Sequence, residues 1–216
     1  MAGLAFQAER GAEHGGFVKA YAVCRGKTGG VIFHQYELNW RYGDTNIEQV
    51  IGDYGAFSSD LLARLATVSI DVKGLPLSHI TYRVATISEY AEMRDKLKGF
   101  CREFVETQFN GRAVSIMLLK TDLILTEGCL VSTIELPAPR SVHVYHVGLE
   151  HIGIIIGKTL PQFKIQYQNV LTGEKDHGAL CRPAFITFNN GKTVKFYDHS
   201  LEEIVLLEGW KFQRLS

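Results

Sequence analysis

Leu77-Ser78-His79-Ile80 and Leu149-Glu150-His151-Ile152 share the pattern Leu-x-His-Ile, with their histidines 72 positions apart. Each copy opens a strand-like run, 80–84 in the first and 152–156 in the second. In the first run Ile80, Tyr82 and Val84 fall on one face and His79, Thr81 and Arg83 on the other. The same alternation sets Ile152, Ile154 and Ile156 opposite His151, Gly153 and Ile155, and puts Glu150 on the face away from His151. Two similar strands, each presenting one histidine at its start, predict a duplicated module with a pair of matched ligands at its centre.

The flanking sequence supports this order. Asp60-Leu61-Leu62-Ala63-Arg64-Leu65 has apolar residues at helical spacing, with Ser58 or Ser59 available as an N-cap. After the first histidine strand, Tyr90, Met93, Leu97 and Phe100 predict a helix over about 87–107, and Asn110-Gly111 a turn. Strands are expected over 113–119, 123–126 and 129–136, ending at Pro137 and Pro139. The second half repeats this more briefly. A strand at 150–156 precedes a helix within 160–170 and a strand at 184–188. The Asn189-Asn190-Gly191-Lys192 turn then leads to a strand at 193–197. Ser200-Leu201-Glu202-Glu203 is a capping box for a helix over 201–207. Strand, helix, then several strands, given twice, predicts an α+β fold with two sheets facing one another.

Residues 1–50 are less legible. Gly15-Gly16 and Gly29-Gly30 punctuate them, and Val31-Ile32-Phe33 with Tyr36 and Leu38 suits a short strand or hairpin. Gly26-Lys27-Thr28 resembles the end of a phosphate-binding loop, but the glycine needed five positions earlier is Tyr21; for Gly191-Lys192-Thr193 it is Ile186. Both tripeptides are read as turns.

Composition narrows the function classes. Lys plus Arg equals Asp plus Glu, at 23 each, so no basic field gathers nucleic acid or anionic lipid. Cys24, Cys101, Cys129 and Cys181 form neither a C-x-x-C pair nor a zinc-finger spacing, and read as reduced thiols. No secretory signal is evident and the apolar runs are too short to span a bilayer, so a cytoplasmic protein without membrane or nucleic-acid partners is expected.

Alternation also selects candidate chemistry. In Val131-Ser132-Thr133-Ile134-Glu135-Leu136, Ile134 and Leu136 take the helix side and Glu135 the inner side. In Thr193-Val194-Lys195-Phe196-Tyr197, Lys195 faces inward. His79, Glu135, His151 and Lys195 therefore occupy equivalent places, on the first and last strands of the two modules. Arg83 shares their face and suits a ligand carboxylate or phosphate, or else pairs with Glu135. His146 is read as a surface residue, and Glu202 and Glu203 as helix-capping residues.

The chain resembles the YecM family, within the vicinal oxygen chelate (glyoxalase/bleomycin resistance/dihydroxybiphenyl dioxygenase) superfamily. The matching segments are Ser78-His79-Ile80-Thr81-Tyr82-Arg83, Asn110-Gly111-Arg112, Ile134-Glu135-Leu136-Pro137-x-Pro139, Glu150-His151-Ile152 and Gly191-Lys192-Thr193-x-x-Lys195-Phe196. Ser200-x-Glu202-Glu203-Ile204-Val205 follows, so the likeness runs in order over about 52–208. It implies two βαβββ modules, at about 77–137 and 149–198, forming a cupped mixed sheet with helices on the outside. They would make up a domain at 51–208, between an N-terminal extension of unknown role (1–50) and a tail (209–216).

The superfamily's metal positions map to His79, Glu135, His151 and Lys195. The first three suit a divalent ion (Zn, Mn, Ni or Fe), being two imidazoles and a carboxylate. Lys195 departs from the pattern because a protonated ammonium is no ligand, and Tyr197 stands where a histidine is expected. Arg83, Lys195 and Tyr197 become the expected small-molecule contacts, with Lys195 the candidate catalytic group. The implied activity is that of a metal-dependent isomerase, lyase or oxidoreductase acting on a small carbonyl compound or organic acid. The alternative is a non-catalytic binding module with a metal-free cavity, Glu135 and Lys195 forming an interior ion pair and the histidines serving as core residues. Oligomeric state is not legible.

Overall fold

The computed structural model describes residues 46–125, 129–140, 146–175 and 180–215, together with the backbone of 16–25 and 31–40. The turns read at Gly15-Gly16, Gly26-Lys27-Thr28 and Gly29-Gly30 fall wholly or partly outside those residues, as does Thr126. The chain divides into two units, 1–46 and 47–216. In the first, β1 (Gly16–Arg25) and β2 (Val31–Trp40) make an antiparallel hairpin running from Gly16 opposite Trp40 to Arg25 opposite Val31.

The second unit begins with two helices, α1 (Ile47–Ile51) and α2 (Tyr54–Thr67). Helix α2 starts earlier than expected because Asp53, not Ser58 or Ser59, is its N-cap, accepting from Ala56 N–H at 2.7 Å. Module one follows as β3 (Leu77–Arg83), α3 (Ile87–Lys98), β4 (Cys101–Phe109), β5 (Arg112–Ile124) and β6 (Leu130–Pro137). Module two is β7 (Gly148–Ile155), α4 (Leu160–Gln166), β8 (Gly173–Glu174), β9 (Ala184–Thr187) and β10 (Thr193–Tyr197). Helix α5 (Leu201–Leu207) and the edge strand β11 (Gln213–Arg214) close the chain. Both modules read βαβββ.

The nine-stranded sheet has the order β11-β4-β5-β6-β3-β7-β10-β9-β8. Within each module the first strand lies parallel to the last, followed by the third and the second. That identical order is a topological repeat. The modules join where β3 pairs antiparallel with β7, so the two sheets expected to face one another are one open, mixed sheet.

The helix predicted over 87–107 is two elements. Helix α3 ends at Lys98, capped by Gly99, and the chain returns as β4. Val105 and Thr107 are β-branched and pair with Ile116 and Val114, a cross-strand gain that outweighs the weak helical periodicity beyond Phe100. The Asn110-Gly111 turn is a two-residue hairpin in which both residues have positive φ, 49° and 75°. The strands expected at 113–119 and 123–126 belong to one long strand, β5, whose register with β6 shifts between Leu118 and Leu123.

One face of the sheet holds the main core. Ile80, Tyr82 and Val84 of β3, Ile134 and Leu136 of β6, Ile152 and Ile154 of β7, and Val194 and Phe196 of β10 pack with Leu61 and Leu65 of α2 and Tyr90 and Leu97 of α3. Each fully buried aliphatic side chain contributes about 1.5–3 kcal/mol, so the pattern fixes which residues face the other way. Helix α5 lies on that other face. Val205 packs on Val105, Val114 and Ile116, and Ile204 packs on Cys181 and Tyr197. Ile116 is opposite Glu135 in register, which puts α5 over the inner surface, where helices were expected only outside. Among the described residues, no helix is long and apolar enough to cross a membrane.

Candidate metal centre

Two adjacent rows of side chains cross the middle of the inner face. In one, Glu135 of β6 pairs with Thr81 of β3, which pairs with His151 of β7. In the other, His79 of β3 pairs with Gly153 of β7, which pairs with Lys195 of β10. Ile80 opposite Ile152 separates them, so a local twofold relation exchanges His79 with His151, Thr81 with Gly153 and Glu135 with Lys195.

Backbone irregularities complete the arrangement. Between Leu77 and His79, β3 carries one extra residue relative to β7; between Thr81 and Tyr82, β7 carries the extra one. The unmatched residues are Ser78 and Glu150, the variable positions of the two Leu-x-His-Ile motifs. A bulge breaks strand alternation and re-aims a side chain. Glu150, expected on the face away from His151, instead brings Oε2 to 2.9 Å from His151 Nδ1 and accepts from Arg83 Nε at 2.7 Å. Ser78 Oγ lies 2.8 Å from His79 Nδ1 and accepts the Leu201 N–H of α5 at 2.7 Å. Arg83 is thus paired with Glu150, and among the described residues no ion pair joins it to Glu135.

With each ring engaged at Nδ1, both Nε2 atoms face the same space. Ligand atoms of His79, Glu135 and His151 all lie within 4.8 Å of one another. Glu135 Oε2 is 3.3 Å from His151 Nε2 and 3.9 Å from His79 Nε2. Thr81 Oγ1 donates to Glu135 Oε2 at 2.7 Å and also lies 2.9 Å from His151 Nε2. His79 Nε2 is buried without a hydrogen-bond partner. When both rings hold their protons on Nδ1, three lone-pair sites converge and only the Thr81 hydroxyl hydrogen serves them. That electron-rich set fits a divalent cation.

Electrostatics agree with this donor set. Burial pushes His79 down to about 3, more than the Glu135 charge raises it, so the ring is neutral at physiological pH. Burial alone would raise Glu135, but the His151 ring 3.3 Å away and the Lys195 charge hold it well below the usual carboxylate range. Burial likewise opposes ionisation of Glu150, and the bonds from His151 and Arg83 outweigh it. A neutral His79 ring beside an ionised Glu135 carboxylate is the state in which these two groups can hold a metal.

The other candidates take different places. Lys195 is 7% exposed and, among the described residues, has no carboxylate within 4 Å, so the interior Glu135–Lys195 ion pair does not form. Burial lowers its ammonium to about 8. Tyr197, 3% exposed, packs against the His79 ring (centroids 5.3 Å apart, 68° between planes) and beneath α5, away from solvent. His146 is exposed. Solvent approaches through Glu135 and Glu150, whose side chains are 17% and 29% accessible. Two cavities of about 430 and 670 Å³ lie elsewhere, lined by residues that include none of the three candidate ligands.

Gly153 is required where His79 crosses it. A Cβ there would stand 2.5 Å from His79 Cε1 and 2.7 Å from Nδ1, and the ring is fully buried. Gly153→Ala is therefore expected to lower stability by about 1–3 kcal/mol and to weaken cation binding by displacing the ring. Urea unfolding with a parallel Mn²⁺ titration reads both, and unchanged stability would refute the contact.

The YecM family profile matches residues 46–176, more than half of the chain. The chain belongs to the YecM family. No curated protein matches it significantly. Among solved structures it is similar to a structural-genomics protein, EC4020, with 24% identity and a TM-score of 0.56, covering 76% of this chain and 97% of that one. More distant is a mutant of the fosfomycin resistance protein FosX from Listeria monocytogenes, solved with Mn(II) and 1S,2S-dihydroxypropylphosphonic acid. It has 15% identity and a TM-score of 0.22, covering 62% of this chain and 98% of that one. FosX from Mesorhizobium loti matches at 16% identity and a TM-score of 0.22, with 63% and 99% coverage.

Proposed function

We propose that this chain is a divalent-metal protein in which His79 Nε2, Glu135 Oε2 and His151 Nε2 hold the ion and leave positions open for a small carbonyl compound or organic acid. The observation that carries this is the convergence of three ligand atoms within 4.8 Å, one of them a buried imidazole nitrogen without a partner. When bound, the ion supplies Lewis-acid polarisation of a ligand's oxygens, the chemistry that isomerases, lyases and oxidoreductases of this kind need. The protein side chains do the rest. Glu135 supplies the one negative charge among the ligands. Thr81 keeps Glu135 and His151 aligned. Lys195 offers a buried positive charge two strands from His79 with no carboxylate within 4 Å among the described residues, so an anionic group on the ligand is the natural counter-charge.

Lys195 also favours a second reading, metal-free binding of an anion, because it stands where a fourth ligand would be and has no carboxylate within 4 Å among the described residues. One experiment separates the two. The purified chain is stripped with chelator, titrated with Zn²⁺, Mn²⁺, Ni²⁺ and Fe²⁺, and then tested for oxalate binding with and without the ion. The metal reading expects about one equivalent of ion and chelator-sensitive oxalate binding. Oxalate binding indifferent to metal would transfer the site to the second reading, and no uptake of any ion would end the first.

A further inference from the structure

Resting on the metal reading above, we infer that the variable residue of each Leu-x-His-Ile motif is the positioning residue of its histidine. Ser78 orients His79 and Glu150 orients His151. Each owes its place to the bulge it occupies, and the two arms are unequal in strength.

The geometry is the same on both sides of the Ile80–Ile152 pair. In an unbroken strand, the residue before each histidine would point to the opposite face, among the helices. Both are instead the extra residue of a register shift, one on β3 and one on β7, and both reach the Nδ1 atom of the next residue, at 2.8 and 2.9 Å. A bulge at the same motif position in both halves, with the same outcome, is difficult to assign to packing alone. Its effect is to turn Nε2 of each ring toward Glu135.

The chemistry of the two arms differs. An ionised carboxylate only accepts, so Glu150 requires the His151 proton on Nδ1 and leaves Nε2 as a lone pair. Glu150 is itself fixed by the Arg83 Nε–H at 2.7 Å. A hydroxyl both donates and accepts, so Ser78 permits either tautomer of His79 while holding the ring's direction. Ser78 is anchored by the first backbone N–H of α5. His151 is thus preset as a ligand, whereas His79 is oriented but free to change tautomer. Arg83, expected from the sequence to contact a ligand, acts here as the outer support of a metal ligand.

The test compares the parent chain with Glu150→Gln and Ser78→Ala, using Mn²⁺ alone for affinity and Cu²⁺ as a spectroscopic probe. Glutamine keeps the shape of Glu150 but can present its NH₂ to Nδ1 and so favour the wrong tautomer. We expect Glu150→Gln to weaken Mn²⁺ binding by about 10- to 100-fold and Ser78→Ala by only a few-fold. Electron spin echo modulation from the remote imidazole nitrogen of Cu²⁺-bound histidine should show two distinct couplings in the parent. Each variant should shift one of them and leave the other. A purely structural role predicts instead that affinity follows the loss of urea resistance, with both couplings unchanged or moving together, and that result would overturn the proposal. A parent that binds Mn²⁺ normally, with both variants matching it, would sink the positioning roles while sparing the metal site. A parent that binds neither ion would remove both.

Discussion

His79→Ala and His151→Ala are each expected to lower divalent-metal affinity by at least about a hundredfold, since the loss of an outer-shell partner alone commonly costs 10- to 100-fold and these residues would be direct ligands. The two substitutions should differ in their effect on folding. His79 Nε2 is buried without a partner, a condition that costs roughly 1–3 kcal/mol; truncation removes that penalty while opening a cavity, so the two effects oppose. His151 Nδ1 is bonded to Glu150, and Nε2 packs 2.9 Å from Thr81 Oγ1, so its removal takes a partner from the Glu150 carboxylate. His151→Ala should therefore be the more destabilising of the two in urea. If the histidines were only hydrogen-bonded core residues, both variants would lose stability and neither would change metal uptake. Isothermal titration with Mn²⁺ and Zn²⁺, alongside denaturant melts, distinguishes these outcomes.

Lys195→Met is expected to raise stability at pH 7 by about 1–3 kcal/mol while abolishing binding of an anionic ligand. Burial brings this lysine from 10.5 to about 8, so keeping it charged in the folded chain at neutral pH costs on the order of 3 kcal/mol. The unfolded chain holds the proton up to about 10.5 and the folded chain only up to about 8. Between those values the unfolded state binds more protons, and stability climbs with pH. Below about 8 the full penalty applies, and above about 10.5 it is gone. Methionine fills a similar volume without charge, and replacing a poorly compensated buried ion by an apolar side chain is often stabilising. The predicted signature is a melting temperature several degrees higher at pH 7, with the advantage over the parent shrinking as pH rises from 8 to 10.5. Equal stability at pH 7 and 10 would show that Lys195 carries no burial penalty.

The repeat was legible because it rests on strongly periodic strands. Ile80, Tyr82 and Val84, and Ile152 and Ile154, had only one way to face a core, and that fixed His79, His151, Glu135 and Lys195 on the other side. Strand β4 was obscured because Tyr90, Met93, Leu97 and Phe100 continue a helical rhythm into a segment whose conformation is decided by pairing with residues 112–119. Glu150 was misplaced for a different reason. Alternation assumes an unbroken ladder, and a bulge leaves no reliable mark in one sequence. A signal was nevertheless present: a polar residue immediately before the histidine in both copies of the motif, Ser78 in one and Glu150 in the other. Thr81 was named only as a face residue, and nothing local showed that its hydroxyl would sit between two candidate ligands. The inward position of α5 depends on contacts with residues about 90–125 positions away, such as Val114, Ile116 and Ser78, beyond the reach of local pattern.

The twofold relation between the halves is exact in topology and broken in charge: Glu135 and Lys195 answer to each other across the Ile80–Ile152 pair. Two separate copies of one half, meeting about the same axis, would have to present two acids or two bases. Carrying both halves on a single polypeptide removes that constraint, so the centre can be polar from one side to the other. A small unsymmetrical molecule entering it would meet an acid-bearing wall and a base-bearing wall, and would have only one orientation in which its own charges are matched.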